Sequence, residues 1–179
     1  FHEAASDFEP GGLYREQLPI MDYLATMPGT FSGYAASGTG TRYDQYLIDR
    51  LPGILAAIER GLTLAPELEG LPRCPTFCDY HPGNLKWRDE RGVGLFDFDW
   101  AKLDYRVFDV AIGIVYFCTS WEGEDDGELR LGKADIFLKA YQDEVSRTAA
   151  PGSLTTAELA VLPRMLAIAA LYVVSWDIV

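Results

Sequence analysis

TFCDYHPGNLKWRDERGVGLFDFD, residues 76–99, is the stretch on which the reading of this chain turns. It holds two polar knots, Asp79-Tyr80-His81-Pro82-Gly83-Asn84 and Asp97-Phe98-Asp99. Between them an apolar–polar alternation is broken by Asp89-Glu90-Arg91-Gly92, the pattern of a β-hairpin with glycine in its turn. The expected strands are residues 85–87 and 93–96. A hairpin brings its ends together, so Asn84 and Asp97 are expected to be neighbours in space. Two carboxylates and one amide then converge at one end of a small ribbon.

That convergence suits a hard divalent cation. Mg²⁺ takes oxygen ligands, few from protein and the rest from water or substrate phosphates. Asn84 and Asp97 supply such oxygens. Asp79, five residues before Asn84, would sit beside the metal without binding it and could take a proton from an attacking hydroxyl. These are the parts of phosphoryl transfer: a base, a metal and fixed geometry. The protein-kinase signature likewise places an Asp five residues before an Asn and follows them with Asp-Phe-Gly. Asp97-Phe98 matches the first two letters of that triplet.

The residues TFCDYHPGNLKW and GLFDFDWAKLDYRVFDVA resemble the phosphotransferase family that includes aminoglycoside phosphotransferases, choline kinases and type II homoserine kinases. The family pattern is close to His-Gly-Asp-x-His-x-x-Asn, then Ile-Asp-Trp or Ile-Asp-Phe, then Tyr-Asp-Leu-Ala. The resemblance is strong between residues 76 and 111. It implies Asp79 as catalytic base, Asn84 and Asp97 as metal ligands, and Asp109 as a structural anchor. Phe77 and Cys78 stand where His-Gly is usual. The implied fold is α+β and mainly helical: the C-terminal lobe of a protein-kinase-like fold, with a small β-hairpin at the catalytic loop. The implied activity moves the γ-phosphate of ATP, or GTP, with Mg²⁺, to a hydroxyl of a small molecule. Two other readings keep the same residues. One is a catalytically inactive kinase-like fragment or binding module; the other is a metal-dependent hydrolase that releases phosphate.

Further residues take supporting roles. His81 is expected to be a structural hydrogen-bonding residue of the catalytic loop. Asp99 either contacts metal or orients Trp100. Asp109 lies in the apolar run VFDVAIGIVYFC, where a lone acid is costly unless it is hydrogen-bonded. Its carboxylate is therefore expected to hold backbone donors of the catalytic loop. Trp121 and Glu122 open an acidic loop, residues 120–127, that either lines a substrate site or is a solvated charge run.

Composition narrows the classes. At 179 residues, 49% apolar, the chain suits one domain with a real core. A net charge of −12 with four lysines argues against nucleic acid as a partner. Cys74, Cys78 and Cys118 have no metal-ligand rhythm and read as reduced thiols of a cytoplasmic protein. The apolar run of residues 165–176 is too short to span a bilayer, so no membrane is expected. No Gly-x-Gly-x-x-Gly occurs, and none of the lysines lies in a Val-Ala-Ile-Lys-like strand. Phe1 and the apolar residues 176–179 read as cut ends. Residues 1–179 are thus expected to be one catalytic lobe, with its nucleotide lobe earlier in the same polypeptide and no transfer by this piece alone.

Along the chain, residues 1–10 read as the tail of a helix and residues 13–27 as an amphipathic segment broken at Pro19. Residues 28–40, rich in Gly, Ser and Thr, read as a loop. Its Ser37-Gly38-Thr39-Gly40-Thr41 lacks the Gly-Lys-Ser/Thr ending of a phosphate loop. Residues 43–60 carry one apolar face of a helix, and residues 65–75 a connector. Residues 100–104 read as a loop, 106–118 as a buried helix, and 128–146 and 155–179 as further helices. The last of these begins with a Thr155–Glu158 capping box.

Overall fold

Ile20, Leu24, Met27 and Phe31 recur at the spacing of one helical stripe, and they are the buried face of helix α1, Ile20–Ser37. This corrects the expected loop over residues 28–40: the helix passes through Pro28 and ends only at Gly38. Small polar residues face outward there, while the stripe holds the helix to the core. Pro19 begins the helix rather than breaking it, and gives no side-chain cap. The cap comes from elsewhere, since the Asp104 carboxylate accepts from the Ile20 N–H at 2.7 Å.

The computed structural model describes residues 1–9, 11, 17–121, 127–148 and 151–177. Among them the chain is mainly helical α+β with two small antiparallel strand pairs. The elements after α1 are α2 (Arg42–Leu62), α3 (Ala65–Leu68), β1 (Arg73–Thr76), β2 (Leu85–Arg88), β3 (Arg91–Leu95), β4 (Lys102–Tyr105), α4 (Arg106–Cys118), α5 (Leu131–Val145) and α6 (Thr156–Asp177). A short 3₁₀ turn, Pro82–Asn84, precedes β2. Residues 1–8 form successive turns rather than the expected helix end. The connector over 65–75 contains α3 and the start of β1. The loop expected over 100–104 contains β4, which pairs with β1 from Arg73↔Tyr105 to Thr76↔Lys102.

Thr41 starts α2 with a reciprocal capping box. Its side chain accepts from the Asp44 N–H, and Asp44 accepts from the Thr41 N–H. The same carboxylate accepts from the Thr39 N–H at 3.0 Å. The Thr39 and Thr41 N–H groups are thus already engaged with Asp44, and Gly38–Thr41 is the short link from α1 to α2.

The core lies between α4 and α6, with α5, α1 and α2 around them. Eleven of the thirteen α4 residues are buried, as an all-round apolar helix must be. Its buried polar residue Arg106 donates to both oxygens of Glu158, at 2.9 and 2.6 Å. Its other N–H groups go to the carbonyls of Pro151, Gly152 and Ser153. Glu158 in turn completes the predicted capping box, accepting from the Thr155 N–H while its own N–H reaches the Thr155 hydroxyl.

Helix α6 is longer and more apolar than the run over 165–176 suggested. Thr156–Trp176 is long and apolar enough to cross a membrane by length and composition. Met165, Ile168, Ala169 and Tyr172 on it are buried against the core, so its apolar character has a use within the fold.

Candidate functional site

Three consecutive backbone facts shape the site. β1 ends at Thr76, Phe77 and Cys78 follow, and Asp79 comes next. The Phe77 N–H donates to Asp109 Oδ2 at 2.9 Å and the Cys78 N–H to Oδ1 at 2.7 Å. Asp109 leaves the first turn of α4, beneath the loop. One buried carboxylate thus takes the two N–H groups that precede Asp79. Cys78 has φ 62°, the left-handed region where a Cβ is disfavoured. Glycine, usual in the family motif, would adopt that conformation freely. Here the two bonds to Asp109 hold a cysteine in it. The Cys78 side chain is buried and its sulfur lies 3.0 Å from the Thr76 hydroxyl.

Beyond Cys78 the loop turns inward. Asn84 is buried, and its Nδ2 donates to Asp79 twice, to the backbone oxygen at 3.0 Å and to Oδ2 at 2.7 Å. The amide nitrogen is spent on Asp79, so the oxygen end of Asn84 is the atom suited to a cation. His81 accepts from the Gly83 N–H through Nδ1 at 3.0 Å, which puts the ring proton on Nε2. That nitrogen lies 3.6 Å from Asp79 Oδ2. Glycine is required at 83 by this contact, because a Cβ there would come 2.6 Å from the His81 ring.

The hairpin expected from the sequence is β2–β3, paired from Leu85↔Leu95 to Arg88↔Arg91. Its pairing continues one step further, with the Phe96 N–H on the Asn84 carbonyl at 3.2 Å. Asp97 follows directly. The carboxylate-bearing end of β3 and the amide-bearing start of β2 are thus side by side in the backbone. Asp97 also has a left-handed backbone, φ 65°, and is exposed. Such strain is held only where the surroundings impose it, and it collects at functional sites. Phe98 packs edge-on against Phe77, centroids 5.1 Å apart, and Trp100 lies 4.0 Å from Trp176 of α6. Phe98 and Trp100, the two neighbours of Asp99 in the chain, are thus both packed against other aromatic rings.

Burial raises the Asp79 carboxyl above the ordinary aspartate value, and the neighbouring Asp97 charge adds to this. His81 and the Asn84 hydrogen bond oppose it. Burial likewise pushes the Cys78 thiol and the Tyr80 phenol up. A partly buried carboxylate that stays basic while being oriented by an amide is suited to accepting a proton.

Among the described residues no three His, Cys, Asp or Glu side chains gather as a metal cage. The donor set at this end of the hairpin is instead one amide oxygen and exposed carboxylates. This fits a small hard cation that keeps most of its water or phosphate ligands, and it does not fit zinc.

Trp121 donates through Nε1 to the Tyr116 carbonyl at 2.9 Å, and the Tyr116 ring lies 5.2 Å from His81. Trp121 is thus two rings from the loop that carries Asp79. Glu122 lies outside the described residues. The sequence reading missed His2, whose Nε2 lies 2.9 Å from Asp109 Oδ2. A lone histidine in a turn-rich start carries no local signal, and only its scarcity, as one of two, could have drawn attention.

The family model described as "Phosphotransferase enzyme family" matches residues 21–147 of this chain. The chain is 31% identical over 131 residues to a homoserine kinase of Xanthobacter autotrophicus, covering 73% of this chain and 36% of that protein. It is 29% identical over 180 residues to an uncharacterized protein of Deinococcus radiodurans, covering 96% of this chain and 44% of that one. A homoserine kinase of Granulibacter bethesdensis is 32% identical over 107 residues, 60% of this chain and 30% of its own length. The chain therefore spans less than half the length of these curated relatives.

Proposed function

Because the chain belongs to the phosphotransferase enzyme family, we propose that it is the catalytic lobe of a kinase that phosphorylates a hydroxyl of a small molecule. Homoserine is the first acceptor to test, since relatives carry the name homoserine kinase. The observation that carries this reading is the Asp79–Asn84 pair. A 2.7 Å hydrogen bond fixes the base candidate, and the oxygen end of the same amide is turned to metal duty. Kinase-like lobe architecture is what the family implies, and the hairpin beside the Asp79 loop supports it.

In this reading Asp79 receives the acceptor's hydroxyl proton at Oδ1, since Oδ2 is occupied by Asn84. Its raised basicity favours the transfer, and His81 and Asn84 keep it ionised. Asn84 and Asp97 would hold Mg²⁺, with Asp99 either a further contact or the residue that orients Trp100. Mg²⁺ and ATP (or GTP), when bound, supply the phosphoryl group and neutralise charge on its oxygens. Asp109 keeps the Asp79 backbone in place through Phe77 and Cys78. Trp121 would border the acceptor. The sequence contains neither a Gly-rich phosphate loop nor a strand lysine of the kinase kind. The nucleotide lobe is assigned to another part of the same polypeptide, which the greater length of the relatives supports.

The test is transfer of labelled phosphate from ATP to a panel of hydroxyl compounds, homoserine included, by the full-length protein. Asp79→Asn is expected to reduce turnover by roughly 10²- to 10⁴-fold, with nucleotide affinity nearly kept. Asp97→Ala is expected to weaken Mg²⁺-nucleotide binding as well. Equal turnover by Asp79→Asn and wild type would remove the base assignment. Phosphate release without any acceptor would favour the hydrolase reading, and nucleotide-independent binding without turnover the inactive one.

A further inference from the structure

Asp109 has a third donor, and it comes from the far end of the chain. His2 Nε2 lies 2.9 Å from Asp109 Oδ2, across 107 residues. The other ring nitrogen, Nδ1, lies 2.8 Å from the Tyr141 hydroxyl on α5. The ring is buried and meets Tyr141 edge-on. A carboxylate only accepts, so Nε2 carries the proton toward Asp109, and in that tautomer Nδ1 accepts from Tyr141. Burial holds the Tyr141 phenol in its protonated, donating form. The hydrogen bonds thus run one way, from Tyr141 to His2 to Asp109, where the N–H groups of Phe77 and Cys78 also end.

We infer that His2 is a positioning residue for the catalytic loop, acting through Asp109, with Tyr141 fixing the ring. The inference rests on the reading of Asp79 as the base. Two observations support it. The backbone just before Asp79 is held in a left-handed conformation at Cys78, and only a carboxylate in fixed orientation can serve both N–H groups that hold it. Asp109 Oδ2 shares itself between Phe77 and His2, so the imidazole sets where that oxygen points. Asp109 also borders a cavity of about 380 Å³ lined by Phe1, His2, Phe77, Tyr80 and Tyr141 among others. Without the imidazole the carboxylate has space on that side to turn away from the loop.

Amide hydrogen exchange on the chain tests this without relying on activity, comparing wild type with His2→Leu, His2→Gln and Tyr141→Phe. In His2→Leu the Phe77 and Cys78 amides are expected to exchange faster by on the order of tenfold, the loss of one hydrogen bond to a charged group. Ile112 of α4 and Met165 of α6 should keep their wild-type rates. His2→Gln, whose side-chain N–H can replace Nε2, should return the loop amides to within about threefold of wild type. In the full-length protein kcat should fall with the loop protection while the nucleotide KM stays unchanged. Unchanged Phe77 and Cys78 exchange in His2→Leu, an increase shared equally by Ile112 and Met165, or an unchanged kcat beside faster loop exchange would each overturn the inference. If His2→Leu does not fold, Tyr141→Phe carries the same comparison with a smaller factor. Absence of phosphoryl transfer in the wild type would sink the functional reading alone, because the exchange pattern still decides the role of His2.

Discussion

Arg106 and Asp109 leave the same turn of α4 and serve opposite ends of the molecule. Arg106 faces the start of α6, where its N–H groups reach Glu158 and the carbonyls of Pro151, Gly152 and Ser153. Among the described residues of that region no non-glycine residue has a left-handed backbone. Asp109 faces the Asp79 loop, where Cys78 and Asp97 are held in disfavoured conformations and a cavity lies alongside. One cluster fastens helix to helix in relaxed geometry. The other uses fewer hydrogen bonds, those from Phe77, Cys78 and His2, to hold a loop in a conformation it would not choose. Damage to the first should therefore appear as lost stability, and damage to the second as lost function.

The largest expected effect strains the first cluster. Glu158→Ala leaves Arg106 buried without its carboxylate and removes the Thr155 partner. A loss of about 3–5 kcal/mol is expected for a broken buried pair. Urea unfolding of the 179-residue chain measures it; a midpoint near wild type would erase the contrast between the two clusters.

Asp109→Asn comes next. The amide presents one acceptor oxygen to donors from Phe77, Cys78 and His2, and its NH₂ faces a donor. A loss of about 2–3 kcal/mol is expected, less than for Glu158→Ala, with a larger drop in turnover of the full-length protein. Reversal of either order would break the comparison.

Gly113→Ala sharpens it. Gly113 lies one turn beyond Asp109, and a Cβ there would come 2.8 Å from Phe137 of α5 and 3.2 Å from Tyr80 of the loop. Overpacking by one methyl should destabilise by about 1–2 kcal/mol, partly offset by the better helix propensity of alanine. Turnover should fall more than this stability loss alone implies, because Tyr80 adjoins Asp79. Unchanged turnover would show that the loop tolerates displacement.

The smallest effect has the opposite sign. The Asp79 carboxyl is raised above its ordinary 3.8, burial being the main cause. The folded chain then keeps this proton to a higher pH than the unfolded chain does. Stability is lost as pH climbs from 3.8 to the raised value, and remains lost above it. Asp79→Asn carries no such charge and should be more stable than wild type at neutral pH. The gain should stay under about 1 kcal/mol, because solvent screens a carboxyl that is only partly buried. Denaturation curves between about pH 3 and 8 should diverge in that window, and identical curves would argue against any strain stored at Asp79.

The stretch over residues 76–99 was legible because its information is local. The hairpin follows from alternation on either side of a polar break, although its turn is Asp89-Glu90, both left-handed, and the glycine expected there, Gly92, lies in β3; α4 follows from an apolar run with a single acid, and the α6 capping box from Thr155 and Glu158. The anchoring role of Asp109 followed from the cost of a buried acid. What stayed hidden was tertiary. Asp104 caps α1 across 84 residues, Arg106 meets Glu158 across 52, and His2 meets Tyr141 across 139. None of these pairs has a periodic signature. The end of α1 was a different case: the stripe through Phe31 was visible, but the Gly, Ser and Thr around it argued for a loop. β4 was missed because a four-residue strand paired to a proline-containing partner has too little pattern to register.

Cys78 has a use to an experimenter that its place in the fold creates. Its thiol is buried, and burial keeps it well above the ordinary cysteine range, so in the closed loop it is both shielded and unreactive. Cys74, also pushed up by burial, to about 12, and Cys118 are slow reference thiols in the same chain. An alkylating reagent can reach Cys78 only during the moments when Phe77 and Cys78 lift from Asp109. The labelling rate of this one sulfur is therefore a clock for how often the Asp79 loop comes undone, readable by mass spectrometry with no substrate present.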